Sequence, residues 1–158
     1  MRTEVIVGDH QSRISLPERA LAMLEEAGAE AAARILTDGL LREDAPLASL
    51  ECVEVALVDD ETSGRVHEQF MGIEGATDVI TFEHGEIVIG VEVARRQAKD
   101  YGEPEERELL RYLVHGLLHL AGHEDEGDED RKVMEAAQEK LVADLWRDSE
   151  GFGASCSG

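Results

Sequence analysis

The chain has 158 residues, 42% of them hydrophobic, enough for one domain with a sizeable core and with no sign of a second. Its 36 acidic residues outnumber 15 basic ones for a net charge of -21, which argues against non-specific attraction to nucleic acid. No stretch approaches the roughly 18 apolar residues of a membrane span, and Cys52 and Cys156 form no CxxC pair, which excludes a membrane anchor, a disulfide framework and a thiolate zinc site. The opening segment, MRTEVIVGDH, also lacks the charged head and apolar run of a signal peptide, so a cytoplasmic protein is expected.

Glu4 to Asp9 reads as a first strand, and Pro17, a good first-turn residue, opens an Ala-, Leu- and Glu-rich stretch to about Leu41 that is one long helix or two interrupted near Gly28. Leu47 to Leu50 is a loop. Val53 to Val58 is apolar through most of its length and so predicts a central strand. Caps at Asp59, Asp60 and Thr62 precede a short helix from Glu61 to Phe70 that ends at Gly72. Asp78 to Phe82 and Glu86 to Ile89 are β-rich runs joined through Glu83, His84 and Gly85 as a tight hairpin. Val91 to Tyr101 is a helix with Arg95, Arg96 and Lys99 outward; Gly102 stops it and Pro104 sits in the first turn of the next. Asp128 to Trp146 is a last amphipathic helix whose stripe is Val133, Met134, Ala137, Leu141 and Leu145. The pattern predicts an α+β fold, a small mixed β-sheet packed with helices, as one domain over residues 1–147 with a flexible Gly- and Ser-rich tail over 148–158.

Between Glu108 and Asp125 the chain places two histidines in a helix that is apolar around nearly its whole circumference. His115 and His119, four residues apart, share one face, and stacked imidazoles on a buried helix need partners. Gly122 can end the helix in a left-handed turn that returns His123, Glu124 or Asp125 toward them. Two helical histidines and one returning ligand leave a fourth position open, the arrangement of a catalytic zinc. The blander alternative, a hydrogen-bonded core histidine, fits a lone histidine better than this pair.

The full spacing is HxxxHxxGxxD, from His115 to Asp125, and resembles the long zinc motif of metzincin peptidases. Those peptidases carry a glutamate base directly after the first histidine, where this chain has Gly116, so peptidase chemistry fits poorly. A closer resemblance is to the YbeY family of endoribonucleases. HGLLHLAG from His115 to Gly122 matches that family's signature, FMGIEGATDVITF from Phe70 to Phe82 matches a second block in outline, and GEIVI from Gly85 to Ile89 matches a third; the likeness runs from about Val53 to Leu145. It implies a metzincin-like layout and one zinc ion per chain, held by His115 and His119, which are also the catalytic residues. It further implies cleavage of single-stranded RNA, maturation of the 3' end of small-subunit ribosomal RNA, and ribosome quality control. The partners it implies are that RNA, the small ribosomal subunit, and a ribosome-associated GTPase or ribosomal proteins, with no membrane and no DNA.

Two departures from the family matter. Its third histidine, ten residues after the first, is replaced by Asp125, an acceptable zinc ligand that neutralises one unit of the metal's charge. His123 is the rival, but a residue directly after the helix-ending glycine has less chain with which to swing back. An arginine that many members carry after the aromatic of the second block is Met71 here, and Arg111, one turn before His115, is the candidate to hold the scissile phosphate in its stead; the alternative is an ion pair between Arg111 and Glu108. Thr77 and Asp78 are candidates to line the cleft, while Glu86 reads as structural.

RNA binding by so acidic a chain requires its positive charge to gather. Arg95, Arg96, Lys99, Arg107 and Arg111 all precede His115, whereas six carboxylates crowd between Glu124 and Asp130, so the alternatives are a local basic groove and a partner that delivers the RNA. Two other functions remain compatible with the residues: a zinc hydrolase of another substrate, and a non-enzymatic ribosome-assembly factor whose metal only fixes the fold.

Overall fold

Val53, Val55 and Leu57 alternate with Glu54 and Ala56, and this period of two turns one side of the strand toward the helices. A computed structural model describes the backbone of residues 3–157 and the side chains of residues 3–146. It contains β1 (Glu4–Asp9), α1 (Glu18–Thr37), a 3-10 turn (Pro46–Ser49), β2 (Cys52–Val58), α2 (Asp60–Met71), β3 (Val79–Phe82), β4 (Glu86–Gly90), α3 (Val91–Tyr101), α4 (Glu105–Leu120) and α5 (Asp128–Ser157). The four strands form one mixed sheet in the order β1-β2-β4-β3. β1, β2 and β4 run parallel and β3 runs antiparallel to β4 along the edge. The fold is α+β, β2 is interior as its apolar sequence requires, and β3 and β4 form the expected hairpin. The flexible tail expected over residues 148–158 lies outside the described side chains. Among the described residues, no helix is long and apolar enough to cross a membrane.

Helices pack on both faces of the sheet. On one, Val53, Val55, Leu57, Ile87 and Ile89 meet α1 and α4 in the main core; on the other, Val58, Ile80 and Val88 form a smaller cluster with Val66 of α2. α4 is the central element. It touches α1, α3, α5, β3 and β4, and Leu109, Leu110, Leu113, Val114, Leu117 and Leu118 are all buried along it.

Of the two alternatives for α1, the single helix is the one found: Gly28 is buried inside it, packed against Leu113 of α4 and Val5 of β1. Two local expectations change. Pro17 and Pro104 stand just outside their helices in extended conformation, their carbonyls accepting the first-turn bonds from Ala20 and from Arg107 and Glu108. Val133 is 45% exposed, and the buried stripe of α5 is Met134, Gln138, Leu141, Val142 and Leu145. The helical period explains that shift, because Val133 lies about 100° around the axis from Met134.

Gly116 has a packing role. A Cβ there would lie 2.8, 3.0 and 3.1 Å from the Cδ1, Cγ2 and Cγ1 atoms of Ile87, a fully buried residue of β4. The glycine after His115 therefore lets α4 lie against the sheet, and any side chain at that position would have to push Ile87 aside. Gly116→Ala is expected to destabilise the domain by about 1–3 kcal/mol through overpacking, instead of gaining the roughly 1 kcal/mol that alanine has over glycine inside a helix. Urea unfolding of the variant checks this.

Candidate metal centre

The spacing of four along α4 brings the His115 and His119 rings together, with centroids 4.6 Å apart and planes at 84°. Each ring is held from behind. The His115 Nδ1 lies 2.8 Å from Gln138 Oε1 on α5, and the His119 Nδ1 lies 3.0 Å from the His123 carbonyl. A carbonyl only accepts, so His119 carries its proton on Nδ1. The Gln138 amide nitrogen donates to Glu139 at 3.0 Å, which fixes its oxygen toward His115 and puts that ring in the same tautomer. Burial pushes the His119 imidazolium down, and the neighbouring His115 adds to this against the pull of Asp125 and the His123 carbonyl, so the neutral ring is favoured.

Both Nε2 atoms are then bare acceptors, and they face each other at 3.1 Å. With no proton between them this arrangement is repulsive, and a cation is what it fits. Asp125 Oδ2 lies 3.8 Å from each Nε2, and the three ligand atoms fall within 4.8 Å of one another. Ligand atoms about 2.0–2.1 Å from a tetrahedral zinc are separated by roughly 3.3 Å, so to hold such an ion the two Nε2 atoms need only part slightly and the Asp125 oxygen move in by a fraction of an ångström. The partners at Gln138 and His123 are the kind that orient metal-binding histidines.

The turn after α4 delivers the carboxylate. Gly122 has φ +94°, and the His123 amide donates to the Leu118 carbonyl at 3.0 Å, closing a Schellman motif. The backbone of Gly122 also passes so close to Arg42 that a Cβ would sit 2.7 Å from the Arg42 Cβ. His123 itself is buried, with Nε2 2.6 Å from the Leu40 carbonyl, and its ring is occupied away from the pair. Of the two candidates for third ligand, Asp125 is the one brought to the histidines.

A cleft of about 670 Å³ opens beside this group, walled by the edge strand at Asp78 and Val79, by α3 at Gln97 and Tyr101, and by α4 and α5. Arg111 reaches it but is clamped by Glu108, by Glu103 at 2.9 Å and by Glu139 at 2.9 Å. Burial would lower its pKa, but the bonds from Glu139, Glu103 and Glu108 outweigh that and hold it above the ordinary arginine value. Asp78 lies in the cleft wall, its Oδ1 accepting the Val79 amide at 2.7 Å and the Thr77 hydroxyl at 3.4 Å. Thr77 is tied to Ser63 through its amide and carbonyl and does not line the cleft. Met71 is exposed at the end of α2, also away from it.

Three of the five basic residues ahead of His115 are not free to form a basic groove: Arg95 pairs with Glu105, Arg96 pairs with Asp60, and Arg111 stays in its clamp, each opposite a carboxylate from another part of the chain. Sequence reading also missed Gln138. The signal for it is a polar residue set inside the apolar stripe between Met134 and Leu141.

A family model described as endoribonuclease YbeY matches residues 18–146. The chain belongs to the YbeY family. A Phocaeicola vulgatus relative named endoribonuclease YbeY is 33% identical, the match covering 68% of this chain and 84% of that one. One from Pelotomaculum thermopropionicum is 29% identical over 89% of this chain and 96% of its own length. A Myxococcus xanthus member is 38% identical, but the match spans 58% of this chain and 36% of that longer protein. The solution structure of a Thermotoga maritima protein is similar with a TM-score of 0.63 at 27% identity, covering 93% of this chain and 92% of the other. Within the YbeY pattern, this chain keeps the two histidines and the helix-ending glycine while Asp125 stands at the third position.

Arg111 joins α4 and α5 to the α3–α4 connection, and its removal would leave three carboxylates facing one another. Arg111→Ala is expected to cost about 2–3 kcal/mol at pH 7 in chemical denaturation. Burial would raise the Glu139 carboxyl, but hydrogen bonds from Arg111 and Gln138 hold it below the ordinary value. A depressed carboxyl contributes stability above its unfolded pKa of about 4.3 and loses it as pH falls through the folded value, so the gap between native and variant protein should narrow below pH 4.

Proposed function

We propose that this chain is a zinc-dependent endoribonuclease of the cytoplasm. Its substrate is single-stranded RNA, and its place is ribosomal RNA processing at the 3' end of the small-subunit RNA and in ribosome quality control. The observation that supports this most directly is the pair of Nε2 atoms facing each other at 3.1 Å with Asp125 beside them, in a chain of the endoribonuclease YbeY family. His115, His119 and Asp125 would hold the ion, leaving a position open to substrate. When bound, zinc supplies Lewis acidity at a phosphodiester and a hydrolytic nucleophile at neutral pH.

The chain's own residues set the rest. Gln138 and the His123 carbonyl keep both rings in the tautomer that aims Nε2 inward. No carboxylate follows His115, and one there would have to push Ile87 aside, so proton transfer does not follow the peptidase pattern. Asp78, steadied by Thr77 and the Val79 amide, is the cleft carboxylate placed to accept a hydrogen bond from a ribose hydroxyl or a base amine. A phosphate held by Arg111 must displace one of its three carboxylates. That makes Arg111 a weaker anchor than a free arginine would be.

Incubation of zinc-loaded protein with ribosomal RNA should yield discrete fragments that disappear on chelation, return with zinc, and are absent with His115→Ala. Intact RNA under all four conditions would rule the reading out. Elemental analysis should find zinc near one per chain in the native protein and in His123→Ala, but strongly reduced in Asp125→Ala.

A further inference from the structure

The cleft beside the histidines lacks the groups that usually grip a phosphate backbone. Of the arginines that line it, Arg111 is held by three carboxylates and Arg131 pairs with Asp128 at 2.8 Å. Asp78, Glu103, Glu108, Glu135 and Glu139 also face it, so its charge is negative even before Asp125 is counted. An RNA strand cannot draw its affinity here from phosphate neutralisation.

One wall offers something else. Tyr101, the last residue of α3, is 71% exposed and lines this same cleft. Among the described residues no hydrogen bond or ring contact engages it. Gly102 follows in left-handed conformation, at φ +66°, and turns the chain away toward α4. A large aromatic face is thus left in water at the mouth of the site, carried on the rigid end of a helix.

Resting on the endoribonuclease reading, we propose that the Tyr101 ring is a stacking platform for a base of the single-stranded RNA whose phosphodiester lies at the His115–His119–Asp125 centre. The cleft then takes its substrate by the face of a base. Every base has such a face, so recognition is tolerant of sequence, whereas a duplex keeps its bases stacked on one another and offers none. The acidic walls add to this selectivity, since a duplex brings a second phosphate strand toward them.

The test uses full-length, zinc-loaded protein and a short single-stranded RNA carrying the fluorescent base 2-aminopurine, with binding followed across a salt series. Stacking on Tyr101 should quench the fluorophore. Tyr101→Ala should weaken binding by at least about fivefold, the low end of what base–aromatic stacking is worth, and abolish the quenching, whereas Tyr101→Phe should stay within about twofold of native. The slope of log affinity against log salt should be shallower than about -1.4, the value for two phosphate contacts on a single strand. The proposal is overturned if the native protein does not bind, if Tyr101→Ala binds as the native protein does, if Tyr101→Phe fails as badly as the alanine, or if the slope is steep. Native protein that binds and quenches but never cuts would sink the endoribonuclease reading while leaving the stacking site standing. Cutting that is unaffected by Tyr101→Ala would do the reverse.

Discussion

Two imidazole Nε2 atoms, of His115 and His119, point at one another across 3.1 Å. Much of the surrounding structure serves to hold that approach. α4 is held by the sheet on one side and by α1, α3 and α5 on others, which fixes the backbone from which both histidines project. Each ring's remaining nitrogen is hydrogen-bonded to a carbonyl oxygen, which keeps both Nε2 atoms aimed inward. Arrangements like this persist only where packing over-determines them, and they mark functional sites more often than structural ones.

The glycines of the motif show how packing and chemistry share residues. Gly116 and Gly122 stand on either side of His119, and neither contributes a ligand. One lets α4 settle on Ile87 of β4; the other turns the chain under Arg42 so that the following segment doubles back. Without the first, the helix would be lifted from the sheet and the histidines displaced from α5, where Gln138 waits. Without the second, Asp125 would continue away from them. The spacing HxxxHxxGxxD is therefore a description of how three ligands are brought together.

This part of the fold was legible in the sequence because its geometry is local. An i, i+4 pair, a helix-ending glycine and a carboxylate three residues later lie within eleven positions, and helical periodicity is enough to converge them. Gln138 was not legible in the same way, being 23 residues from His115 and joined to it only through the packing of α5 on α4. The arginines misled for a related reason. A run of basic residues in sequence says nothing about what lies opposite after folding, and Glu105, Asp60, Glu103 and Glu139 neutralise Arg95, Arg96 and Arg111 from other elements. Gly28 left one helix or two open because the stretch was read alone, whereas its contacts with Leu113 and Val5 make it part of the core of a single helix.

An acidic chain with an acidic cleft joins metal and RNA more tightly than a basic one would. Among the described residues, the cation held by His115, His119 and Asp125 would be the one uncommitted positive charge facing the cleft, since the arginines lining it are already paired. A phosphodiester approaching an empty centre would meet Asp125 and the surrounding carboxylates; approaching a filled one, it would meet a divalent charge set against those same carboxylates. If the centre holds a cation, its occupancy and affinity for RNA would be positively coupled, and by linkage a bound strand would tighten the hold on the ion by the same factor. Asp125 in the third position sharpens this balance. It lowers the net charge of the filled centre compared with three neutral imidazoles, which weakens the pull on phosphate and leaves more of the binding to contacts with the bases.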